Sequence, residues 1–222
     1  MKIIAIDTSF EACSAAIVSN GAVLWSARKL IGKGHSEILP VMVRDALAQT
    51  GLSAAEFDRI GVVKGPGAFA GIRVGLAFAR AFRLGFKANV IGVTSLEALA
   101  ESAECDCPIA PVFDARRGQV YAALFDAGRN MVIEPFVAAP REAAARLKAQ
   151  RTELALAGSG AALVAEHFGA CRILPERYID PVCVARIAER LDPAQAPPAP
   201  LYLRPPDAAP SKGSIFDRIN GV

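Results

Sequence analysis

Histidine is scarce in this sequence, which bears directly on metal chemistry. The chain contains only His35 and His167, and neither has a second histidine one helical turn away. A hydrolytic metal usually needs two or three nitrogen or carboxylate ligands at helical or hairpin spacing. We therefore expect no metal site, and His35-Ser36-Glu37 is explained more simply as a helix start. Ser159 also lacks the spacing of a Gly-x-Ser-x-Gly nucleophile elbow, which argues against a serine hydrolase.

Long apolar runs are missing as well. No run approaches the roughly 18 apolar residues that a membrane-spanning helix needs. The apolar stretch after Lys2 is interrupted by Asp7, which is too early for a signal peptide. We therefore expect a cytoplasmic protein with no membrane partner.

Cysteine content and net charge are both modest. Five cysteines, with no C-x-x-C pair among them, favour reduced thiols and argue against a zinc site. A net charge of +3 without a long basic run does not exclude nucleic acid, but it predicts no surface that holds it unaided. The 222 residues, 53% hydrophobic and 21% charged, are typical of a globular protein with one large or two small domains.

The predicted strands and helices follow an order that occurs twice, and the first copy opens with a hairpin at Asn20-Gly21. The first copy comprises strands over 2–7, 12–19, 22–29, 60–63 and 90–93 and helices over 36–50, 69–86 and 95–104. The second comprises strands over 109–114, 120–126, 131–137 and 154–157 and helices over 140–150, 161–168 and 182–191. The repeated β-β-β-α-β-α pattern predicts an α/β fold of two lobes, 1–104 and 105–222, with a cleft between them.

The end of the chain has a different composition. Residues 193–210 hold many of the prolines, which predicts an extended segment across the surface. The tail after Pro210 is expected to be mobile.

Four glycines occur in the eleven residues from Gly65 to Gly75, where a predicted strand leads into a long helix. Glycine is favoured where the backbone turns with positive φ or approaches another group closely. A tight turn with close helix packing explains this stretch, and so does a ligand or partner that approaches the backbone. A Walker-type phosphate loop is excluded, because no Gly-Lys-Ser/Thr follows the glycines.

The predicted helix after this turn has more apolar surface than a core contact needs. Gly71, Gly75 and Ala79 are spaced four residues apart and predict a smooth groove that admits another backbone. The helix is therefore either enclosed by its own fold or in contact with another chain. Its basic residues fall on one arc roughly 80° wide, and they are Arg73, Arg80, Arg83 and Lys87.

Asp7 and Asp114 occupy equivalent places in the two copies, each before a predicted hairpin. In the duplicated folds of actin, heat-shock chaperones and sugar kinases, ATP lies between two such hairpins, whose small tip residues let backbone N–H groups hold phosphate. Here the second tip, residues 115–117, carries two arginines that could neutralise a phosphate or fill its place. The turn from Gly158 to Gly160 could back an adenine ring or be a plain turn. Asp7, Asp114, Gly158 and Gly160 are thus candidates for a degenerate nucleotide site.

Short motifs that are individually weak recur in order along nearly the whole chain. They are Asp7-Thr8 with Glu11-Ala12-Cys13-Ser14, His35-Ser36-Glu37 with Leu39-Pro40, Gly65-Pro66-Gly67 with Phe69, Gly71, Arg73 and Gly75, Asp114-Ala115-Arg116 with Val120-Tyr121, and Tyr202-Leu203-Arg204. Taken together, they resemble the bacterial TsaB (YeaZ) family. The chain departs from the family pattern at three positions. Ala68 stands where Ser or Thr is common, Ala70 where Thr is usual, and Gln119 where Glu is usual. The hydrogen bonding of the glycine-rich turn and of the second hairpin is therefore left open.

The resemblance implies a duplicated fold of the actin and sugar-kinase class (ASKHA, ribonuclease H-like) and a role in forming N6-threonylcarbamoyladenosine next to the anticodon of tRNAs. In that family the paralogue TsaD carries the metal ligands and transfers the threonylcarbamoyl group from its adenylate. TsaB binds TsaD through its first domain, and the ATPase TsaE is the third member. The chain is therefore expected to be a non-catalytic subunit without a cofactor of its own, with weak ATP or ADP binding inside the complex and tRNA reached through the complex.

The two helices that follow His35 and Phe69 are expected to form the partner surface, with Arg73 and Arg80 pairing with carboxylates of TsaD. When the chain is alone, the same patch is expected to form a homodimer about a two-fold axis. The expected contact residues are His35, Leu39, Met42, Ala46, Phe69, Gly71, Arg73, Gly75, Leu76, Ala79 and Arg80.

Two other classes of function remain alternatives. An autonomous ATP-dependent small-molecule kinase or ATPase predicts ATP turnover and an intact second phosphate turn. A glycoprotease-like peptidase predicts bound metal or a reactive nucleophile. The residue types described above argue against both.

Overall fold

Two five-stranded sheets form the centre of the computed structural model, which describes residues 1–204 of the chain. The first sheet comprises β1 (Lys2–Asp7), β2 (Ala12–Ser19), β3 (Ala22–Leu30), β4 (Arg59–Gly65) and β5 (Asn89–Thr94). These strands lie in the order β3-β2-β1-β4-β5, with β1 to β3 antiparallel and β1, β4 and β5 parallel. The helices of this half are α1 (His35–Thr50), α2 (Phe69–Arg83) and α3 (Ser95–Ser102).

The second half repeats this arrangement. Its sheet comprises β6 (Ile109–Arg116), β7 (Gln119–Phe125), β8 (Met131–Ala138), β9 (Ala155–Ala157) and β10 (Arg172–Ile173), in the order β8-β7-β6-β9-β10. Its helices are α4 (Pro140–Gln150), α5 (Ala161–Phe168) and α6 (Pro181–Arg190). Because both copies run β-β-β-α-β-α-β-α with the same strand order, the predicted duplicated α/β fold is confirmed.

The central strands are apolar on both faces because both faces are covered. Every residue of β1 after Lys2 is buried, and so is every residue of β2 before Ser19. Such continuous apolar runs are typical of strands that lie between two layers. The predicted turn between β2 and β3 is present, with φ of 51° at Asn20 and 80° at Gly21.

Two helices pack across the lobes. Helix α6, from the second half of the sequence, packs on β1, β2 and β4 of the first sheet, and α3 lies between the sheets, on β4 and β5 of the first and on β6 and β7 of the second. One core cluster therefore contains residues of both sheets, for example Ile3 and Phe113. The boundary near residue 104 separates the strands of the two sheets, but it does not separate the helices that cover them.

Element ends differ from the predicted ones by up to three residues. Helix α2 stops at Arg83 rather than at Phe86, because Leu84 leaves the helical region and Gly85 has a φ of 89°. Helix α3 ends at Ser102, two residues early. The strand β10 was not predicted, since its two residues are exposed and show no pattern. Among the helices of residues 1–204, none combines the length and the apolar content required to cross a bilayer.

The expectation of reduced thiols is wrong for one pair of cysteines. Cys105 and Cys107 form a disulfide in the segment that joins α3 to β6, with their Cα atoms 5.3 Å apart. The chain turns sharply there, which brings two side chains that are separated by one residue within bonding reach. Cys13, Cys171 and Cys183 are free thiols.

The proline-rich segment runs over the first lobe without forming a helix or strand as far as Arg204. Gly92 N–H donates to the carbonyl of Ala196 at 2.9 Å, and Leu201 N–H donates to that of Lys64 at 2.7 Å. The segment thus crosses the first sheet and reaches the β4–α2 turn. The tail after Pro210, expected to be mobile, lies outside the described residues.

Candidate functional site

A cleft of about 1040 Å³ lies between the lobes. The first lobe supplies the β1–β2 turn, the β3–α1 loop and the β4–α2 turn, and the second lobe supplies the β6–β7 hairpin and Ser159. Leu201 to Arg204 close one side of it. Across the floor, the rings of Phe10 and Phe113 stack with centroids 4.1 Å apart, so each lobe contributes one ring.

The glycine-rich turn brings the backbone of the first lobe close to itself. A Cβ atom at Gly67 would overlap the carbonyl oxygen of Ser9, and one at Gly71 would overlap that of Thr8. Thr8 Oγ1 donates to the carbonyl of Gly71 at 2.7 Å. The glycines are therefore required because the start of α2 packs directly on the end of β1, and the close neighbour is the chain's own backbone.

The predicted partner groove on α2 is wrong. A Cβ atom at Gly75 would lie 2.6 Å from Thr8 Oγ1, so the β1–β2 turn already fills the groove. The residues that were expected to meet another chain are buried in the core of their own lobe, because α1 and α2 turn their apolar sides toward the first sheet. They are Leu39, Met42, Ala46, Gly71, Gly75, Leu76 and Ala79.

Three more of the expected contact residues bind the chain's own C-terminal segment. The ring of Phe69 stacks on that of Tyr202 at 4.2 Å, and the guanidinium of Arg73 lies 4.0 Å from the Phe69 centroid and donates to the Tyr202 hydroxyl. Arg80 donates to the carbonyl of Pro198 at 2.7 Å. Arg73 and Arg80 are thus both bonded to the C-terminal segment, and their pairing with carboxylates of a partner chain stays a prediction.

Asp7 lies at the end of β1, 3% exposed, beneath the cleft rather than on its wall. Its Oδ1 accepts hydrogen bonds from the N–H of Ser9 at 2.8 Å and from the Ser9 hydroxyl at 2.6 Å. Burial raises the pKa of the Asp7 carboxyl, and the bonds from Ser9 and the charge of His35 offset part of that increase. The carboxyl group thus accepts two hydrogen bonds from its own turn, while burial disfavours its charged form.

Asp114 does line the cleft, but its carboxylate is neutralised within its own hairpin. Its Oδ1 accepts from the N–H of Arg116 at 2.7 Å, and its Oδ2 lies 3.1 Å from an Arg116 nitrogen. Arg116 and Arg117 both have positive φ, 62° and 57°, which turns the hairpin tip so that Arg116 folds back. Arg116 also lies 4.0 Å from Glu11 of the first lobe.

The turn after β9 places only Ser159 on the cleft. A Cβ atom at Gly158 would overlap the carbonyl oxygen of Val112, and one at Gly160 would lie 2.9 Å from the backbone nitrogen of Asp114. Ser159 Oγ accepts from that same N–H at 3.2 Å. Of the predicted cleft residues, the structure therefore brings Asp114 and Ser159 to the cleft and leaves Asp7, Gly158 and Gly160 behind its walls.

These positions do not fit the magnesium-bound nucleotide that the fold class commonly holds. The two carboxylates that would face a metal ion are Asp7, which is bonded to Ser9, and Asp114, which is paired with Arg116. Within the described part of the chain, no three His, Cys, Asp or Glu side chains are grouped so that they could hold a metal ion.

Sequence reasoning missed two cations and an aromatic ring at the cleft. Lys33 follows β3, and Arg177 and Tyr178 belong to the loop before α6; all three line the cleft. The Arg28 guanidinium lies 5.5 Å from the Tyr178 centroid and links that loop to β3. No local pattern identifies these residues, because the strand and the loop that bring them together are far apart in sequence.

Comparisons with known proteins agree on one family. The model of the family described as "TsaD: tRNA N6-adenosine threonylcarbamoyltransferase" matches residues 29–166. The Escherichia coli K12 protein named tRNA threonylcarbamoyladenosine biosynthesis protein TsaB is 34% identical over 59% of this chain and 57% of its own length. An uncharacterised protein of Mycobacterium tuberculosis H37Rv is 36% identical over 94% of both chains. The structure of YeaZ from Pseudomonas aeruginosa superposes with a TM-score of 0.74 at 27% identity, over 91% of this chain and 99% of that one.

The matches differ in extent. The chain spans less than two thirds of the length of the E. coli protein, whereas the M. tuberculosis protein and the superposition on YeaZ each cover more than nine tenths of both chains. Similarity to the E. coli protein is therefore limited to part of the chain, whereas similarity to the M. tuberculosis protein and similarity in fold extend over both lobes.

Proposed function

The chain belongs to the TsaB (YeaZ) family, within the wider family that the TsaD model describes, and we propose that it takes part in forming N6-threonylcarbamoyladenosine in tRNA. The observation that carries this proposal is the agreement of the family model, the named relatives and the YeaZ structure. The fold alone supports no function, because actin-like folds host many.

We propose that the chain acts as a non-catalytic subunit. TsaD transfers the threonylcarbamoyl group from its adenylate to the adenosine next to the anticodon, and TsaE is the ATPase of the complex. The state of the two carboxylates supports this role, because Asp7 is buried with Oδ1 bonded to Ser9 and Asp114 pairs with Arg116, so both groups are already engaged within the chain. The chain has no cofactor of its own, and ATP or ADP binds weakly within the complex.

The first lobe is proposed to bind TsaD, through a surface other than the buried groove. The outer sides of α1 and α2 remain exposed and carry apolar residues among charged ones: Val41 is 40% exposed, and the small or apolar residues Pro40, Ala70, Ala77 and Ala81 are exposed as well. In the isolated chain the same surface pairs with a second copy, and tRNA is reached through the complex.

Reconstitution tests the function. The purified chain is combined with E. coli TsaD and TsaE, ATP, preformed threonylcarbamoyl-adenylate and unmodified tRNA, and the modified nucleoside is measured by mass spectrometry after digestion. We expect formation that depends on both this chain and TsaD. Formation without TsaD, or none with TsaD and TsaE from the chain's own source organism, would overturn the proposal.

A pair of variants tests the surface. Ala77→Arg places a long cation on the exposed side of α2, and Ala145→Arg makes the same change at an exposed position of α4 in the second lobe. We expect Ala77→Arg to lose TsaD binding in a pull-down and to remain folded by circular dichroism, whereas Ala145→Arg binds normally. Equal binding by both variants contradicts the assignment of the surface.

A further inference from the structure

The chain after α6 turns back over the first lobe and lies directly on its strands. The N–H of Gly92 in β5 donates to the carbonyl of Ala196 at 2.9 Å. A Cβ atom at Gly92 would lie 2.5 Å from the carbonyl oxygen of Pro197, and one at Gly65 in β4 would lie 2.5 Å from that of Leu201. Since glycine has no Cβ, these two positions let the backbone of the C-terminal segment contact the sheet. The first lobe therefore fixes the segment as far as Leu201.

The next residue attaches the segment to the start of α2. The ring of Tyr202 stacks on that of Phe69 with centroids 4.2 Å apart, and the Tyr202 hydroxyl accepts a hydrogen bond from Arg73 at 3.2 Å. Stacked rings contribute beyond the area they bury, and here the hydroxyl has a partner as well. The contact therefore fixes the position of Tyr202 on the first lobe.

Two residues later the segment reaches the second lobe. Arg204 Nη1 donates to the carbonyl of Ala115 and to Oε1 of Gln119, both at 3.2 Å. These acceptors lie on either side of the tip of the β6–β7 hairpin, so one guanidinium spans the tip. Between the two ends, Leu203 packs against the core cluster that contains residues of both sheets. Three successive residues thus contact the first lobe, the core between the lobes and the second lobe.

Two other contacts across the cleft restrain the hairpin tip less. Phe10 and Phe113 stack at the floor of the cleft, further back along β6. At the tip itself, Arg116 lies 4.0 Å from Glu11 of the first lobe, but the two side chains are 77% and 45% exposed. An exposed ion pair contributes little to stability. The half-buried Arg204, with two acceptors, is therefore the stronger restraint on the tip.

We propose that Tyr202, Leu203 and Arg204 form a latch, which holds the tip of the β6–β7 hairpin to the first lobe and couples it to the start of α2. When the ring of Tyr202 leaves Phe69, the backbone that carries Arg204 moves with it, and the directional bonds at the tip weaken steeply. A molecule that displaces Tyr202 from α2 therefore also releases the hairpin whose Arg116 neutralises Asp114. The latch belongs to the isolated chain and does not depend on the proposed function, so each can fail without the other.

Amide hydrogen exchange, resolved by residue with NMR, measures both ends of the latch. The N–H of Arg116, bonded to Asp114 Oδ1 at 2.7 Å, reports on the hairpin tip. The N–H of Ala68, bonded to the carbonyl of Ser9 at 2.7 Å, reports on the start of α2. Amides of α4, which packs in a separate core cluster, are the internal reference for a change in global stability.

Three variants are compared by their protection factors relative to this reference. Arg204→Ala removes the bonds at the tip, so the protection of the Arg116 N–H should fall about tenfold. Tyr202→Ala keeps Arg204 but detaches the segment, so protection of the same amide should fall at least about threefold. The matched control is Arg80→Ala, which removes a bond from arginine to the carbonyl of Pro198 that lies wholly on the first lobe. It should change the protection of the Arg116 N–H less than about twofold.

Coupling must also be measurable from the other end, because coupling between two sites is reciprocal. Arg204→Ala should therefore lower the protection factor of the Ala68 N–H as well. Gln119→Glu has the opposite effect, because it places a carboxylate opposite the Arg204 guanidinium and charge-assisted bonds are stronger. Protection of the Arg116 N–H should rise at least about threefold, and a gain in protection cannot arise from misfolding.

Three results would overturn the inference. The first is equal protection of the Arg116 N–H in Arg204→Ala and in the control Arg80→Ala. The second is unchanged protection of that amide in Tyr202→Ala, which makes Arg204 a brace of the hairpin without coupling to α2. The third is a loss of protection in Gln119→Glu, which shows that the bond from Arg204 does not hold the tip.

Discussion

The two lobes use the same junction between strand and helix but give their acidic residues opposite surroundings. In the first lobe, Gly71 at the start of α2 packs on the carbonyl of Thr8. In the second lobe, Gly160 before α5 packs on the backbone of Asp114. Each glycine thus lies where the fourth strand of a copy delivers its helix onto the end of the first strand, so the close approach follows from the repeated topology.

The acidic residues differ because the hairpins next to them differ. Asp7 is followed by a four-residue turn whose Ser9 folds over the carboxyl group and buries it. Asp114 lies near a tight tip where Arg116 takes positive φ and pairs with it in the open cleft. Duplication therefore preserved the backbone arrangement and left the side-chain chemistry free to diverge.

The largest expected effect tests the shared junction. Gly71→Ala should destabilise the protein by about 3 kcal/mol or more, because the new Cβ atom overlaps a backbone carbonyl that cannot move without shifting β1. Gly160→Ala should cost less, about 1–3 kcal/mol, since its nearest contacts are at 2.9 Å. Urea denaturation measures both.

Gly128→Ala is the control for these variants. A Cβ atom there meets the movable Asn130 side chain at 3.2 Å, so the change should be within about 0.5 kcal/mol. If Gly71→Ala were as stable as this control, the packing of α2 on the end of β1 would not require a residue without a side chain at position 71.

The C-terminal segment marks a second difference, because within the described chain it covers α2 and has no counterpart over α5. Tyr202→Ala removes the stack on Phe69 and the bond from Arg73, so the free energy of unfolding should fall by about 2 kcal/mol. Tyr202→Phe keeps the ring and should cost about 0.5–1 kcal/mol. An equal loss in both variants would assign the contribution to the hydroxyl instead.

The pH dependence of stability should distinguish the buried acid from exposed ones. Because the pKa of Asp7 is raised in the folded protein, its contribution is present below the unfolded pKa and is lost as the pH rises through the folded pKa. Asp7→Asn should therefore be more stable than the parent at neutral pH, and the gain should disappear on acidification. Unfolding in urea at pH 4 and pH 7 measures the difference.

Asp126, in the β7–β8 turn, is the control, because its pKa is shifted in the opposite direction to that of Asp7. Hydrogen bonds from Asn130 lower its pKa, so its contribution is present above the unfolded pKa and is lost as the pH falls. Asp126→Asn should thus lose stability at neutral pH and converge on the parent in acid. The same sign of change for Asp7→Asn would contradict the burial of its carboxyl group as the dominant cause.

The smallest expected effect concerns the second hairpin. Arg116→Ala removes an exposed ion pair and should change stability by less than about 1 kcal/mol. The variant is informative for the cleft, since it frees Oδ2 of Asp114 while the backbone bond to Oδ1 remains. A gain of magnesium-dependent ATP binding in this variant would show that Arg116 alone separates the second hairpin from a nucleotide site.

Predictions from the sequence were most accurate where local patterns act alone. The strands around Asn20-Gly21 have the predicted ends to within one residue, and helices α4 and α5 have the predicted bounds. The motifs that resemble the TsaB family were sufficient for the family, which the comparisons confirm. The candidate site was predicted less well: Asp114 lines the cleft, but Asp7 and the two glycines of the β9–α5 turn do not.

Three features follow from the sequence alone: the order of the elements, the duplicated topology and the need for glycine at the β4–α2 turn. Each depends on hydrophobic period, turn chemistry or backbone freedom within short windows. Tertiary structure alone decided what the glycines approach. Apolar periodicity predicts that α2 packs against a neighbour, but it does not identify that neighbour. The contact between Thr8 and Gly71 joins residues 63 positions apart in sequence. Helix α6 packs on the first sheet and α3 packs on both sheets for the same reason, since each apolar face packs against whichever sheet the folded chain places beside it.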